Sequence, residues 1–118
     1  LTLPMQHPGH LLFLDNGSLL LTYGIRNKGL MGIGGRFSLD RGATWLPPFV
    51  LYRFPDETRD CGYPSSLQID EDTLITACYT DVSKLYDNYH GGAFTWSISN
   101  YLSEQQLKSI SDGKRMGV

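Results

Sequence analysis

A repeat of 55 residues constrains this chain more than any other feature of it. Leu12-Phe13-Leu14-Asp15-Asn16-Gly17-Ser18-Leu19-Leu20 lies over Leu67-Gln68-Ile69-Asp70-Glu71-Asp72-Thr73-Leu74-Ile75. Each copy reads as an apolar run, an Asp-led polar turn and a second apolar run, which is the pattern of a β-hairpin. Asn16-Gly17 is expected to supply the positive φ angles of a tight turn, whereas Asp70-Glu71-Asp72 has no glycine and is the weaker turn. A third strand repeats as well. Gly34-Gly35-Arg36-Phe37-Ser38 overlies Gly91-Gly92-Ala93-Phe94-Thr95 at an offset of 57, as an insertion of two residues would produce. Paired glycines in a strand permit close backbone approach or a bulge.

Each unit therefore holds at least three antiparallel strands, and the fold class is all-β. Sheets of three or four short strands repeated at this spacing suggest β-propeller blades, each burying its faces against its neighbours. Residues 1–60 are expected to form one blade and 61–101 the final blade, with 102–118 as a tail. Within the tail, Ser103 and Gln106 have capping-box spacing, and Leu107 and Ile110 share a face, so a short helix over 102–110 is expected. A propeller needs roughly 4–8 blades. The remaining blades are accordingly expected in other parts of a parent chain, and the bare edges of an isolated pair predict self-association.

Composition narrows the partners. The 118 residues carry a formal net charge of −2 with no basic cluster, which gives no footprint for nucleic acid. Apolar runs such as Leu11–Leu14 are far short of the about 20 residues of a membrane-spanning helix, so no membrane span is expected. Leu1 opens the sequence with neither Met nor a charged leader, and a targeting segment is expected to be removed or to lie outside it. Cys61 and Cys78 are too few for a disulfide scaffold and lack metal-ligand spacing. The histidines His7, His10 and His90 have no H-x-x-x-H or carboxylate companions, so neither a metal nor another cofactor is expected.

Ser38-Leu39-Asp40-Arg41-Gly42-Ala43-Thr44-Trp45 fits the pattern S-x-D-x-G-x-T-W at all five defining positions. Ser, Asp and Thr side chains can bind turn amides, Gly admits a left-handed conformation and Trp packs beneath the turn. This segment resembles the Asp box of sialidase (neuraminidase) propellers. Leu19-Leu20-Leu21-Thr22-Tyr23-Gly24-Ile25-Arg26, the Asp box and Cys61-Gly62-Tyr63-Pro64-Ser65-Ser66-Leu67 follow one another as in sialidase-like glycosidases, over about residues 4–99. The resemblance implies about two blades of a six-bladed propeller, a hydrolase acting on terminal sugars of glycans, and a secreted or periplasmic location. It places Ser38, Asp40, Gly42, Thr44 and Trp45 in a structural turn on the outer rim.

Sialidases of this kind use a tyrosine nucleophile helped by a glutamate, an aspartate acid and arginines that clamp the substrate carboxylate. A phenol has a pKa near 10 and needs such a base to attack. Tyr63 stands where that tyrosine falls, although Pro64 separates it from Ser65. It is read as a nucleophile, a pocket-lining contact or an ordinary core tyrosine. Arg26 is the candidate carboxylate clamp, because guanidinium binds carboxylates bidentately. Arg36 is a weaker candidate for the pocket. His7, at the place equivalent to the residues before Tyr63, and Asp60, beside the same turn, are candidate substrate contacts; Asp60 is expected rather to bind turn amides. The general acid and the glutamate are expected in other blades. Two alternatives remain: a propeller polysaccharide lyase acting on uronates, and a propeller that binds glycans or proteins without catalysis.

Overall fold

The computed structural model describes the backbone of residues 6–83 and 87–115, and the side chains of 9–83 and 87–110. The chain is mostly β, in two antiparallel sheets. The first has strands β1 (Gln6–Phe13), β2 (Leu19–Asn27), β3 (Leu30–Ser38) and β4 (Phe49–Arg53), in that order across the sheet. The second has β5 (Cys61–Gln68), β6 (Thr73–Thr80) and β7 (His90–Ser97), again in order. A single 3-10 turn at Ile98–Asn100 leads into one helix, α1 (Glu104–Arg115). No helix among the described residues is long and apolar enough to cross a membrane.

The two repeated hairpins turn by different chemistry. In the first, Gly17 alone has positive φ, at 94°, and the loop closes through Leu14 N–H to the Ser18 carbonyl. Asn16 acts through its side chain, whose Oδ1 accepts the Ser18 N–H at 2.9 Å. The expected pair of positive φ angles is thus reduced to one, because the loop is longer than two residues. In the second hairpin a carboxylate replaces the glycine. Asp70 Oδ1 accepts the N–H groups of Asp72 and Thr73, and these bonds hold its carboxyl below the ordinary range.

β4 was not foreseen. It is a five-residue strand behind Pro47-Pro48, too short for alternation to stand out. It pairs with the glycine-rich half of β3, Gly35 facing Phe49 and Gly34 facing Val50.

The sheets pack face to face. Leu20, Phe37, Phe49 and Leu51 from the first sheet meet Leu74, Trp96 and Phe94 from the second, and Leu102 and Ile110 close the layer from the tail. The Trp96 ring lies 6.2 Å from Phe37 and 5.4 Å from Tyr101, and its indole N–H donates to Thr76 Oγ1, which is bonded to Ser66 Oγ. Large buried aromatics with their polar handles satisfied are the strongest single contributors to such a layer.

The register corrects the overlay of the third strands. Leu20 pairs with Phe37, and its repeat mate Ile75 pairs with Thr95. The third strands therefore align at an offset of 58, so Gly34 corresponds to Gly92 and Gly35 to Ala93. A one-residue slip moves a side chain to the opposite face of its sheet. Phe37 and Phe94, superposed by sequence, in fact point from opposite sheets into the same layer.

Helix α1 starts as its capping box predicts. Gln106 N–H donates to Ser103 Oγ at 3.1 Å, and Ser103 N–H donates to Gln106 Oε1 at 2.9 Å. It runs through Gly113 to Arg115, five residues past the expected end at Ile110.

Both cysteines are free thiols. Burial pushes each up to about 11, and Cys61 Sγ donates to the Ile25 carbonyl.

Candidate functional site

The mouth of the second hairpin is built on Asp81. Its buried carboxylate accepts the N–H of Arg59 at 3.0 Å and of Asp60 at 3.2 Å, while Asp81 N–H donates to the Asp60 carbonyl. Burial alone would push the Asp81 carboxyl up. The bonds from Asp60 and Arg59 together outweigh that effect and hold it below its ordinary value. The amide-binding role expected of Asp60 is thus performed by Asp81, a buried residue that opens the segment between β6 and β7; Lys84 and Tyr86 of that segment lie outside the described residues.

With the turn held by Asp81, the Asp60 carboxylate is left to bind side chains. It accepts the hydroxyl of Tyr79 at 2.7 Å and that of Tyr89 at 3.0 Å, and it stands 3.7 Å from Arg26 Nε. Arg26, near the end of β2, donates from Nε to the Cys61 carbonyl at 2.9 Å and from Nη2 to the Tyr79 hydroxyl at 3.3 Å. Its Nη1 has no hydrogen-bond partner among the described residues. The guanidinium, its side chain 21% exposed, is therefore fixed in orientation while one edge stays open to solvent.

Tyr63 completes the group by an unusual backbone. Pro64 has no N–H to give to the ladder, and the pairing of β5 with β6 shifts register between Gly62 and Ser65. Within that bulge Gly62 has φ 136° and Tyr63 φ 49°, a left-handed conformation that a non-glycine residue seldom adopts. The result is a tyrosine 64% exposed, its ring 5.5 Å from that of Tyr79 and 6.0 Å from the Arg26 guanidinium carbon. Residues held in sparsely populated regions collect at ligand sites, where surrounding structure over-determines them.

Arg26, Asp60 and Tyr63 are thus brought together, as the sequence suggested. Tyr79 and Tyr89 were missed. Tyr79 pairs with Gly62, next to Tyr63, in the second hairpin, so the hairpin pattern brought it within reach; Tyr89 carried no signal. Burial, and then the bond to Asp60, push the Tyr79 hydroxyl up to about 12, and the same carboxylate raises Tyr89. Both are protonated near neutral pH. Asp60 is occupied by Arg26 and these two phenols, and no described carboxylate bonds the Tyr63 hydroxyl.

The other candidates lie elsewhere. His7 is on β1, and its side chain falls outside the described residues. His10 Nδ1 accepts the Ser66 N–H at 3.4 Å, a link between sheets. His90 Nδ1 lies 2.6 Å from the Asn88 carbonyl and Nε2 lies 2.8 Å from Ser83 Oγ, beside a cleft of about 280 Å³ between β4 and β7. Arg36 donates to the Leu46 and Trp45 carbonyls, fastening the segment that leaves the turn Ser38–Trp45. In that turn Ser38 Oγ accepts the Gly42 N–H, and Asp40 accepts the Thr44 N–H and hydroxyl as well as the Ser38 hydroxyl. Arg41 and Gly42 take positive φ, and Trp45 packs with Leu21, Tyr23 and Ile25. No group of three or more metal-ligating side chains exists among the described residues.

No family model and no curated protein matches this chain. Among solved structures it is similar to a protein of unknown function from Dyadobacter fermentans, at 30% identity and a TM-score of 0.60. The likeness covers 78% of this chain and 25% of that one, so the chain spans about a quarter of the protein it resembles.

Proposed function

We propose that this chain supplies two blades of a sialidase-like β-propeller that acts on terminal sugars of glycans, with Arg26, Asp60, Tyr63 and Tyr79 lining part of its sugar pocket. The observation that supports the reading is the convergence of a guanidinium fixed in orientation with the exposed Tyr63 ring and the half-buried Tyr79 ring, Tyr63 held in a left-handed bulge. Aromatic faces stack on the apolar face of a sugar ring, and a guanidinium pairs with a carboxylate on it. The Asp box hydrogen bonds and the two packed antiparallel sheets are compatible with blades. Tyr63 is the candidate nucleophile; its activating base, like the general acid, is then supplied by other blades.

Saturation-transfer NMR on the 118-residue chain tests the pocket. N-acetylneuraminate and glucuronate are expected to receive saturation, galactose to receive less, and Arg26→Ala to abolish the difference between anionic and neutral sugars. Equal transfer to all three sugars, or to none, would remove the reading.

One observation favours a second reading, binding without catalysis: the Asp60 carboxylate is engaged by Arg26, Tyr79 and Tyr89 rather than by Tyr63. In a complete propeller, Tyr63→Phe separates the two. Loss of turnover on sialosides supports the hydrolase, while binding with no turnover by the unaltered protein supports the lectin-like alternative.

A further inference from the structure

The two sheets share a hairpin-plus-strand unit but end differently. In the first, β4 covers the outer edge of β3. In the second, β7 has no strand on its outer side among the described residues. Natural edge strands are usually blunted by proline or charge. β1 carries Pro8, β4 carries Arg53 and β5 carries Pro64, whereas β7 (His90–Ser97) has neither proline nor Lys, Arg, Asp or Glu. Its middle, Gly91-Gly92-Ala93, is exposed and bears almost no side chain.

The register given above says what is absent. In the first sheet Gly34 faces Val50 and Gly35 faces Phe49 across the β3–β4 pair. The corresponding positions of β7 are Gly92 and Ala93. Neither β3 glycine has room for a side chain: a methyl group at Gly35 would stand 2.7 Å from the Phe49 ring of β4, and one at Gly34, the position matching Gly92, would stand 2.6 Å from the Tyr23 ring of β2. At Gly92 the same methyl would meet nothing within 4 Å. The space beside Gly92 is the cleft of about 280 Å³, walled by the apolar faces of Tyr52, Phe54, Cys78 and Phe94. That room accepts an aliphatic side chain delivered from a strand on the β7 edge.

We propose that the outer edge of β7 is an acceptor for one extended peptide segment, which pairs antiparallel with it, inserts an aliphatic side chain opposite Gly92 into the cleft and lays an aromatic over Ala93. The occupant is of the chemistry of β4, because a strand of that pattern already sits at the matching place on β3. Length allows such a donor outside the matched region: this chain covers a quarter of the Dyadobacter protein it resembles. Main-chain bonds supply the affinity in strand addition, and the side chain that enters the pocket supplies the selection. The inference stands on strand geometry and is independent of any sugar chemistry at Arg26.

An acetylated, amidated peptide of the β4 sequence, Pro48–Phe54, is the probe, with hydrogen exchange read by NMR on the intact chain. The outward amides within Gly91–Thr95 are expected to slow at least tenfold at saturating peptide. Peptides with aspartate in place of the valine, or with N-methyl groups along the pairing edge, are expected to leave them unchanged; neither alters the protein. Gly92→Leu, which fills the cleft, is expected to abolish the effect while the remaining amide spectrum persists. The proposal is overturned if the peptide slows none of these amides, or if the aspartate peptide protects as well as the original. It is also overturned if the amides are protected in peptide-free protein only as concentration rises and the peptide fails to compete, since the occupant is then a second copy.

Discussion

The first sheet and the second are built from one repeated unit, yet they bury it to different depths. Leu21, Tyr23 and Ile25, on the first sheet's face away from the core layer, are buried with Trp45 beside them. In the second sheet the face away from that layer, which by the repeat matches the Leu20 and Phe37 face of the first, leaves Ser65, Leu67, Ala77, Ala93 and Thr95 exposed. The difference is one of covering, not of local sequence. The hydrogen-bonded turn Ser38–Trp45 fixes the return of the chain after β3, and Arg36 of β3 holds the Trp45 and Leu46 carbonyls of the segment that leads to β4. After β7 the chain instead passes into a 3-10 turn and α1. A repeated hairpin thus specifies strands and turns, while the segments between repeats decide which edges and faces are sheltered. The polar cluster of Arg26, Asp60, Tyr63, Tyr79 and Tyr89 gathers at the less sheltered sheet, where strained backbone is tolerated.

The comparison can be broken most forcefully at the layer both sheets share. Trp96→Ala removes the ring that touches Phe37, Phe49 and Tyr101 and takes one of the two hydrogen-bond partners from Thr76 Oγ1; a loss of about 3–5 kcal/mol is expected in urea unfolding. A loss under about 1 kcal/mol would mean that the sheets do not depend on one another.

Asp81→Ala acts only on the second sheet. The Arg59 and Asp60 N–H groups lose their acceptor, for about 1–3 kcal/mol. Because the folded carboxyl sits below its ordinary value, the unfolded chain binds the proton first as pH falls. The contribution is then complete at neutral pH and disappears as pH drops below about 4. Wild-type and variant stabilities should therefore converge in acid, and a gap that stays constant down to pH 2 would assign the effect to something other than this carboxylate.

The glycines sharpen the contrast between covered and open edges. Gly35→Ala collides with the Phe49 ring and is expected to cost about 1–3 kcal/mol, whereas Gly92→Ala enters open space and should cost less than about 1 kcal/mol. Thermal melts of the two variants that move equally would erase the distinction. The smallest effect is expected at Tyr63→Gly. Relief of the left-handed conformation should raise stability by up to about 1 kcal/mol while sugar binding weakens, and a destabilised variant would show that the ring packs more than it strains.

Much of the architecture was legible in the sequence. Alternating apolar runs about two turns define β1, β2, β5 and β6, and Ser103 with Gln106 marks the start of α1. The third strands were found but misaligned, because paired glycines attract an overlay by identity while the ladder aligns by face. β4 escaped because five residues between prolines hold too little pattern. For the site, Arg26, Asp60 and Tyr63 were named from the sequence. Tyr89 was not, since its approach to Asp60 depends on the path of the loop after β6. The Asp60 hydrogen bonds were assigned the wrong way round, because Asp81, twenty-one residues on, takes the turn amides first.

The two tryptophans occupy opposite faces of the first sheet: Trp45 packs beside Leu21, Tyr23 and Ile25, and Trp96 lies in the layer between the sheets. They are consequently separate optical gauges within one molecule. In Trp45→Phe the remaining emission follows the separation of the sheets, and in Trp96→Phe it follows the corner after β3 alone. Unfolding curves from this pair would say directly whether the corner outlives the layer beneath it.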